Sequence, residues 1–192
     1  MTACQWRVPH LSQGTVSMTE KIKIYTYPAP ILRVTTELVE NIDAEIHDLV
    51  RKMAETMYAA PGVGLAANQV GESKRILVYD VSPSGEGRNL SVIINPKIVL
   101  MEGEVVQEEA CLSVVDFSAE VSRKAQVKVQ GVDIDGNPVD IEAEGLLARC
   151  LQHEIDHLNG ILFIDHISSL KRALYNKRLK KMLKQKQSTK NS

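Results

Sequence analysis

The sequence predicts an α+β fold with largely antiparallel β-sheets. One segment with apolar residues at helical spacing precedes several short segments typical of strands, and two further helical segments follow them. A length of 192 residues favours a single domain. With 44% hydrophobic, 24% charged and only 4% aromatic residues, the composition indicates a globular protein whose core consists mainly of aliphatic side chains.

Local signals place each predicted element. Asp43 precedes apolar residues at helical spacing, so we expect it to cap a first helix that ends before Pro61. The pair Asp135-Gly136 predicts a hairpin turn, and Gly160 is placed to end a second helix. In chain order we predict a strand at 21–25, the first helix, strands at 75–80, 90–95, 98–101, 104–107, 127–132 and 139–143, a central helix at about 146–158, and a C-terminal helix capped by Ser168.

Composition divides the chain into three parts. Residues 1–17 lack acidic residues and apolar periodicity, which predicts a disordered extension before a body at 18–170. Residues 171–192 form a basic tail: nine of the 23 basic residues but none of the 24 acidic ones follow Asp165, so the rest of the chain has a net charge of −10. A basic tail on an acidic body suggests contact with a polyanion, and a solvated helix is the alternative.

Cysteine usage and hydropathy indicate the compartment. Three cysteines and no secretory signal point to a reducing cytosol rather than to a disulfide framework. No apolar run approaches the roughly 18 residues that a transmembrane helix needs. We therefore expect a cytoplasmic protein that does not cross a membrane.

The strongest functional signal is the H-E-x-x-H pattern of His153, Glu154 and His157 on the predicted central helix. Two histidines four residues apart lie on one helix face, about 6 Å apart along the axis, and can chelate one metal ion. Glu154 lies beside them and can accept a proton from an activated water molecule. The pattern also occurs by chance, and two core or solvated histidines are the alternative interpretation.

A catalytic metal site usually has a third protein ligand. No glutamate follows Glu154, and Phe163 occupies the position at which a related motif has a third histidine, so the ligand must lie upstream. Cys150 shares the helix of the histidines but lies about 10 Å from His157 along its axis, which suits an apolar wall better than a ligand. Cys111 is then the best candidate, although a role as a small core residue stays open. The other upstream candidates are Cys4, His10 and His47.

A second signal lies in the segment from Gly62 to Gln69, Gly-Val-Gly-Leu-Ala-Ala-Asn-Gln. Its glycines and small residues allow the backbone to approach a ligand closely, and Gln69 offers an amide donor to an oxyanion. The alternative is a turn that ends the first helix.

Three segments taken together, in this order, resemble the peptide deformylase family: Gly62–Gln69, Glu109–Ser113 and Gln152–His157. The likeness runs from about Tyr25 to Leu170 and implies antiparallel sheets wrapped around a central helix that carries H-E-x-x-H, with a C-terminal helix. Ala110 departs from the pattern, because the family usually has glycine there. If the position required a positive φ, alanine would cost about 1 kcal/mol.

The resemblance also implies the roles of individual residues. Cys111, His153 and His157 would be the metal ligands, and Glu154 the general base and then acid. Gln69 and the Leu112 backbone N–H would stabilise the oxyanion, while Gly64 would contact the substrate backbone. Val63, Leu146 and Cys150 match positions that line the methionine pocket of the family.

The implied function is hydrolysis of the N-formyl group from N-formylmethionyl peptides of nascent proteins, with release of formate. The family favours Fe²⁺, and Ni²⁺ or Zn²⁺ can replace it. The basic tail is associated with ribosome docking, and we expect a monomer in the bacterial cytoplasm rather than in an organelle. The alternatives are an endopeptidase that uses the same H-E-x-x-H pattern and a catalytically weak ribosome-associated relative.

Overall fold

A computed structural model describes residues 21–83 and 87–190, the last five of them by their backbone only. The predicted extension at residues 1–17, with Cys4 and His10, lies outside these residues. The described chain has the predicted α+β architecture. Its elements are α1 (Ala44–Ala59), β1 (Gly64–Ala66), β2 (Ile76–Tyr79), β3 (Ser91–Glu102), β4 (Val105–Cys111), β5 (Val114–Arg123), β6 (Gln126–Val132), β7 (Pro138–Glu144), α2 (Gly145–Leu158) and α3 (Ser169–Lys190), with short 3-10 helices at Pro30–Arg33, Ala67–Val70 and Phe163–Asp165.

The main sheet has the strand order β1-β2-β3-β6-β7, with every neighbouring pair antiparallel. Helices cover both faces of strand β2. Because side chains alternate along a strand, Ile76 and Val78 pack with α1, whereas Leu77 and Tyr79 pack with α2. Helix α2 is therefore the central helix, and its H-E-x-x-H residues are buried in the domain.

Helix α1 begins as predicted. One carboxylate oxygen of Asp43 accepts hydrogen bonds from the backbone N–H groups of Glu45 and Ile46, at 3.0 and 3.1 Å. This N-cap satisfies two donors that have no partner inside the helix. His47 is exposed on this helix and does not belong to the group of possible metal ligands that contains the histidines of α2.

A separate two-stranded hairpin, β4–β5, carries the second part of the site. We predicted only a strand at 104–107, but β4 continues to Cys111, and a two-residue turn connects it to β5. Strand β5 was not predicted, since half of its side chains are exposed and its apolar alternation is weak. The hairpin places Cys111 at the end of a strand, next to a tight turn.

Two further strand predictions were wrong. Residues 21–25 form no strand; instead, the Tyr25 backbone N–H donates to the carbonyl of Gln69, at 2.7 Å. The two strands expected at 90–95 and 98–101 are one strand, β3, with a register shift between Ile94 and Lys97. Pro96 lies in this shift, where its missing N–H does not interrupt the ladder, and Asn95 has a φ of 54°.

Helix α3 begins after Ser168, whose hydroxyl accepts from the Lys171 N–H at 3.3 Å, so the predicted cap is present. The helix packs on the body through Tyr175 and Leu179, which lie in a cluster with Phe163 and residues of β5. Its basic residues between these contacts are exposed. None of the helices in the described part of the chain combines the length and hydropathy needed to span a membrane.

Candidate metal centre and substrate cleft

Three side chains that can bind a metal ion converge where the β4–β5 turn meets α2. The ligand atoms of Cys111, His153 and His157 all lie within 4.8 Å of one another, and the Cys111 sulfur is 3.1 Å from Nε2 of His157. Within the described residues, this is the one group of three such side chains that fits an ion. A thiolate with two imidazoles suits a catalytic divalent transition metal, with one coordination position left open.

The surroundings hold one of these imidazoles in a fixed orientation. Glu109 is 4% exposed, and its Oε2 lies 3.0 Å from Nδ1 of His153. A hydrogen bond from this Nδ1–H leaves Nε2 of His153 available as a ligand, which is the arrangement typical of metal-binding histidines. The fit to a metal ion therefore extends beyond the ligand atoms.

Glu109 is itself held by a buried arginine. Arg123 donates two hydrogen bonds to its carboxylate, at 2.7 and 3.0 Å, and a third to Asp156, which also contacts His166. Burial raises the pKa of Glu109, but hydrogen bonds from His153 and Arg123 outweigh this effect and lower the pKa to about 2. Glu109 is therefore ionised at neutral pH.

The two histidines differ in their electrostatic environment. Burial lowers the pKa of His157 well below its ordinary value, so the ring is neutral and ready to bind a metal ion. Burial also lowers the pKa of His153, but the neighbouring Cys111 and Glu109 raise it well above the ordinary value. An ion that binds His153 must displace a proton, so metal affinity should decrease as the pH falls.

Glu154 is buried against the glycine segment. It is 4% exposed, and one of its carboxylate oxygens, Oε2, has no hydrogen-bond partner in the described structure. Burial raises the pKa of Glu154 to about 7, which suits a group that must both accept and donate a proton. A Cβ atom added to Gly64 would lie 2.6 Å from Oε1 of Glu154, so only glycine allows the backbone this close to the carboxylate.

Gln69 reaches the same centre from the short 3-10 helix at Ala67–Val70. Its Oε1 accepts from the Ala66 N–H at 2.8 Å, and this bond fixes the orientation of the amide. The amide nitrogen then points to Ser113 Oγ, at 3.1 Å, and to the Cys111 sulfur, at 3.7 Å. Leu112 lies next to Cys111 in the β4–β5 turn.

A cleft of about 320 Å³ opens above these residues. Cys111, His153, Glu154 and Gln69 line it, together with all four residues that we predicted to contact substrate: Val63, Gly64, Leu146 and Cys150. The Cys150 sulfur lies 3.5 Å from the Val63 carbonyl oxygen, and burial raises the pKa of its thiol well above the ordinary value. Cys150 therefore remains a neutral thiol on the wall of the cleft.

Sequence reasoning missed the residues around the ligands. Arg123 was not singled out, and Glu109 and Asp156 were noted only as parts of motifs. Their contacts join β4, β5 and α2, which are far apart in sequence, so no local pattern reveals them. Ala110 lies in β4 and is not among the described residues with positive φ, so the strain considered for it is absent.

The chain is similar to known proteins over most of its length. The family model described as polypeptide deformylase matches residues 21–173. A peptide deformylase of Rhizobium meliloti is 54% identical over 158 residues, which cover 82% of this chain and 91% of that protein.

Two solved structures have a similar fold. A peptide deformylase from Legionella pneumophila has a TM-score of 0.81 at 44% identity and covers 87% of this chain and 98% of its own. The enzyme from Ehrlichia chaffeensis in complex with actinonin has a TM-score of 0.80 at 44% identity and covers 84% and 97%.

Proposed function

The chain belongs to the peptide deformylase family, metal-dependent hydrolases that remove the N-formyl group from nascent peptides, and we propose that Cys111, His153, His157 and Glu154 carry out this reaction. The observation that carries the proposal is the convergence of three ligand atoms within 4.8 Å beside a buried carboxylate with one unpartnered oxygen. All four residues belong to one site, and three of them line the cleft.

Metal binding is supported by the chemistry of the donors and by their surroundings. One thiolate and two imidazoles form the ligand set, and Glu109 orients His153 through its Nδ1. A divalent ion held there would supply Lewis-acid activation of a water molecule and of the formyl carbonyl oxygen.

The side chains provide the proton transfers and the stabilisation of charge. Glu154 accepts a proton from the attacking water and then delivers it to the amine that leaves, so that formate and a free N-terminus result. The Gln69 amide N–H and the Leu112 backbone N–H donate to the developing oxyanion. The bond from Ala66 to Gln69 keeps the amide oriented before the substrate arrives, so little reorganisation is needed.

The substrate peptide fits between two strand edges. Strand β1 is the terminal strand of the main sheet, and β4 pairs only with β5, so each has an outer edge among the described strands. Residues of both border the cleft, so a peptide can add as an extended strand, with Gly64 next to its backbone. Val63, Leu146 and Cys150 then surround the methionine side chain.

A comparison of acyl groups tests the reaction class. We expect the metal-loaded protein to release formate from formyl-Met-Ala-Ser and to leave acetyl-Met-Ala-Ser intact, because Gln69, His153 and Glu154 are buried at the reacting end and limit the size of the acyl group. Casein should not be cleaved. Casein hydrolysis without formate release would instead support an endopeptidase, and full metal occupancy without any turnover would contradict the assignment.

We propose Fe²⁺ as the ion used in the cell, with Ni²⁺ or Zn²⁺ as replacements. A ferrous ion and the Cys111 thiolate can both oxidise, so iron-loaded protein kept in air should lose activity faster than nickel- or zinc-loaded protein. Equal half-lives under air and argon, with metal content measured on the same samples, would contradict iron.

The proposed ribosome contact involves the exposed face of α3. Tyr175 and Leu179 attach the helix to the body, whereas Leu170 and Leu174, two apolar residues near the start of the helix, are 68% and 60% exposed. Truncation after Leu170 would therefore remove core residues, so charge neutralisation is the better test. Ribosomal RNA is a polyanion, and its binding to lysines should weaken with salt.

The charge test compares two double variants of one protein. Lys177→Gln/Lys181→Gln alters the exposed face of α3, and Lys74→Gln/Lys97→Gln removes two exposed lysines from the body as a matched control. We expect only the first to reduce co-sedimentation with ribosomes, with unchanged release of formate by both. Equal ribosome binding by the two variants would contradict docking through α3.

Sedimentation in the absence of ribosomes tests the proposed monomer, and fractionation of the native host cells tests its proposed cytoplasmic location.

A further inference from the structure

A hydrogen-bonded pair, Arg149 and Gln107, connects α2 to β4 at the cleft. Arg149 lines the cleft beside Leu146 and Cys150, and its Nη1 donates to Oε1 of Gln107 at 2.7 Å. Arg149 lies four residues before His153, about 6 Å along the helix axis. Gln107 lies four residues before Cys111, about 14 Å along the strand. The pair therefore lies beside the metal ligands rather than among them, next to the part of the cleft that would hold the peptide.

The charge of Arg149 is not neutralised by a neighbour. Among the described residues, its hydrogen-bond partner is a neutral amide, and no carboxylate forms an ion pair with it. Arg123, by contrast, binds two carboxylates. A guanidinium group has five N–H donors, so most of those on Arg149 remain free for a ligand. A half-buried cation that faces a binding cleft attracts a carboxylate.

The path of the peptide determines which of its residues meets Arg149. The edge of β4 extends only from Cys111 toward Gln107, because Leu112 and Ser113 form the turn in the other direction. A peptide whose formyl group lies at the metal ligands must therefore run along β4 toward Gln107. Gln107 shares the inward face of β4 with Glu109 and Cys111.

Alternation of side chains selects one position in the peptide. In an extended peptide, the first and third side chains point to the same side, here toward α2, and the third lies about 7 Å farther from the metal. The first side chain packs against the wall formed by Val63, Leu146 and Cys150, and the third reaches the guanidinium group of Arg149. Glu108 also borders the cleft, but its side chain is exposed and alternates to the face of β4 opposite that of Gln107, where its carboxylate accepts a hydrogen bond from Ser118 at 2.7 Å.

We propose that Arg149, positioned by Gln107, is a specificity-determining residue that favours formyl-methionyl peptides with an acidic side chain at the third position. The inference rests on the proposed function, since it uses the same cleft and the same direction of the peptide. It adds a charge-based preference to a cleft whose proposed wall for the methionine side chain consists of Val63, Leu146 and Cys150.

The test uses the metal-loaded full-length protein and four amidated tetrapeptides. Formyl-Met-Ala-Asp-Ala and formyl-Met-Ala-Asn-Ala differ in one charge at the third position, and formyl-Met-Asp-Ala-Ala and formyl-Met-Asn-Ala-Ala differ at the second. Amidation removes the terminal carboxylate, which could otherwise bind Arg149. We expect kcat/KM to be about fivefold higher for Asp than for Asn at the third position, as a partly buried ion pair should give. The difference should lie mainly in KM.

Arg149→Met keeps the apolar stem and removes the charge, so the ratio at the third position should fall to about one. Gln107→Leu should lower the ratio partly, because the guanidinium loses its anchor. Arg51→Met, which removes an exposed arginine from α1, is the matched control and should leave the ratio unchanged.

Three results separate the outcomes. Formate release from the neutral peptides, with a third-position ratio that is the same in wild type and Arg149→Met, overturns this inference and leaves the proposed function intact. Equal ratios at the second and third positions overturn it as well. No formate from any peptide contradicts the proposed function itself. Should Arg149→Met fail to fold, the wild-type ratio must fall toward one in about 1 M salt, and a salt-independent ratio overturns the inference.

Discussion

Replacement of Glu109 by glutamine should damage both the stability of the protein and its affinity for metal. The carboxylate is 4% exposed and contacts His153 at 3.0 Å and Arg123 at 2.7 and 3.0 Å. Glutamine keeps the size of the side chain but removes the charge, and its amide can accept at only one oxygen. Arg123 then loses one of its two carboxylate partners inside the protein.

Two ways of sizing the loss in free energy of unfolding for this change give similar values. A lowering of the pKa of Glu109 from 4.5 to about 2 corresponds to roughly 3 kcal/mol of stabilisation of the ionised form in the folded protein. Removal of one partner from a buried ion pair costs about 3–5 kcal/mol. Because the folded pKa is depressed, this stability is present above about pH 4.5 and is lost as the pH falls toward 2. Metal affinity should fall about 10- to 100-fold, since His153 loses its orienting acceptor.

The assay is denaturant unfolding of the metal-free protein, with metal affinity measured separately by competition with a chromophoric chelator. Glu108→Gln is the matched control, because the neighbouring carboxylate is exposed and should change stability by less than about 0.5 kcal/mol. Should Glu109→Gln and Glu108→Gln unfold at the same denaturant concentration and bind metal equally, Glu109 does not organise the site.

Four further substitutions probe separate parts of the structure. Cys111→Ala should abolish tight metal binding, whereas Cys150→Ala should keep the metal and mainly alter KM for formyl-methionyl peptides; swapped results would mean that the wrong cysteine is assigned as ligand. Gly64→Ala should lower kcat/KM by about 100-fold or more, because its Cβ would lie 2.6 Å from Glu154 Oε1 and 2.9 Å from the Cys150 sulfur. Near-wild-type kinetics would refute the close approach of the Gly64 backbone to Glu154. Asp165→Asn should lower the free energy of unfolding by about 1 kcal/mol, because Asp165 accepts from the Leu162 N–H and pairs with Arg33 and Arg172. Burial raises the pKa of Asp165, but these partners hold the pKa below its ordinary value. The difference in free energy of unfolding from wild type should therefore be present above about pH 4 and vanish as the pH falls below it. A difference in stability that persists in acid would contradict this origin.

The sequence predicted the parts of the molecule that have a local signal. Asp43 and Ser168 were recognised as helix caps because capping needs only the residue and the turn that follows it. Strand β5 was missed because Asp116, with a φ of 54°, interrupts its start and much of its surface is exposed. Strand β3 was divided because Pro96 normally ends a strand, and only the register shift accommodates it.

The same distinction applies to the site. The spacing of His153 and His157 predicts a shared helix face, and the two ring centroids are 5.0 Å apart. The network of Glu109, Arg123 and Asp156 depends on contacts between three elements, and the pair of Arg149 and Gln107 depends on two. Sequence spacing contains no information on such contacts until the elements are packed together.

The most direct test of the central claim is formate release by Glu154→Gln and wild type at equal metal content. Glutamine cannot accept the proton from water, and general acid–base roles contribute about 10²- to 10⁴-fold to the rate. We expect Glu154→Gln to bind one metal ion per chain, as wild type does, and to lose at least about 100-fold in kcat on formyl-Met-Ala-Ser. Near-wild-type turnover by the metal-loaded variant would show that the proton is transferred elsewhere and would contradict the proposed role of the site.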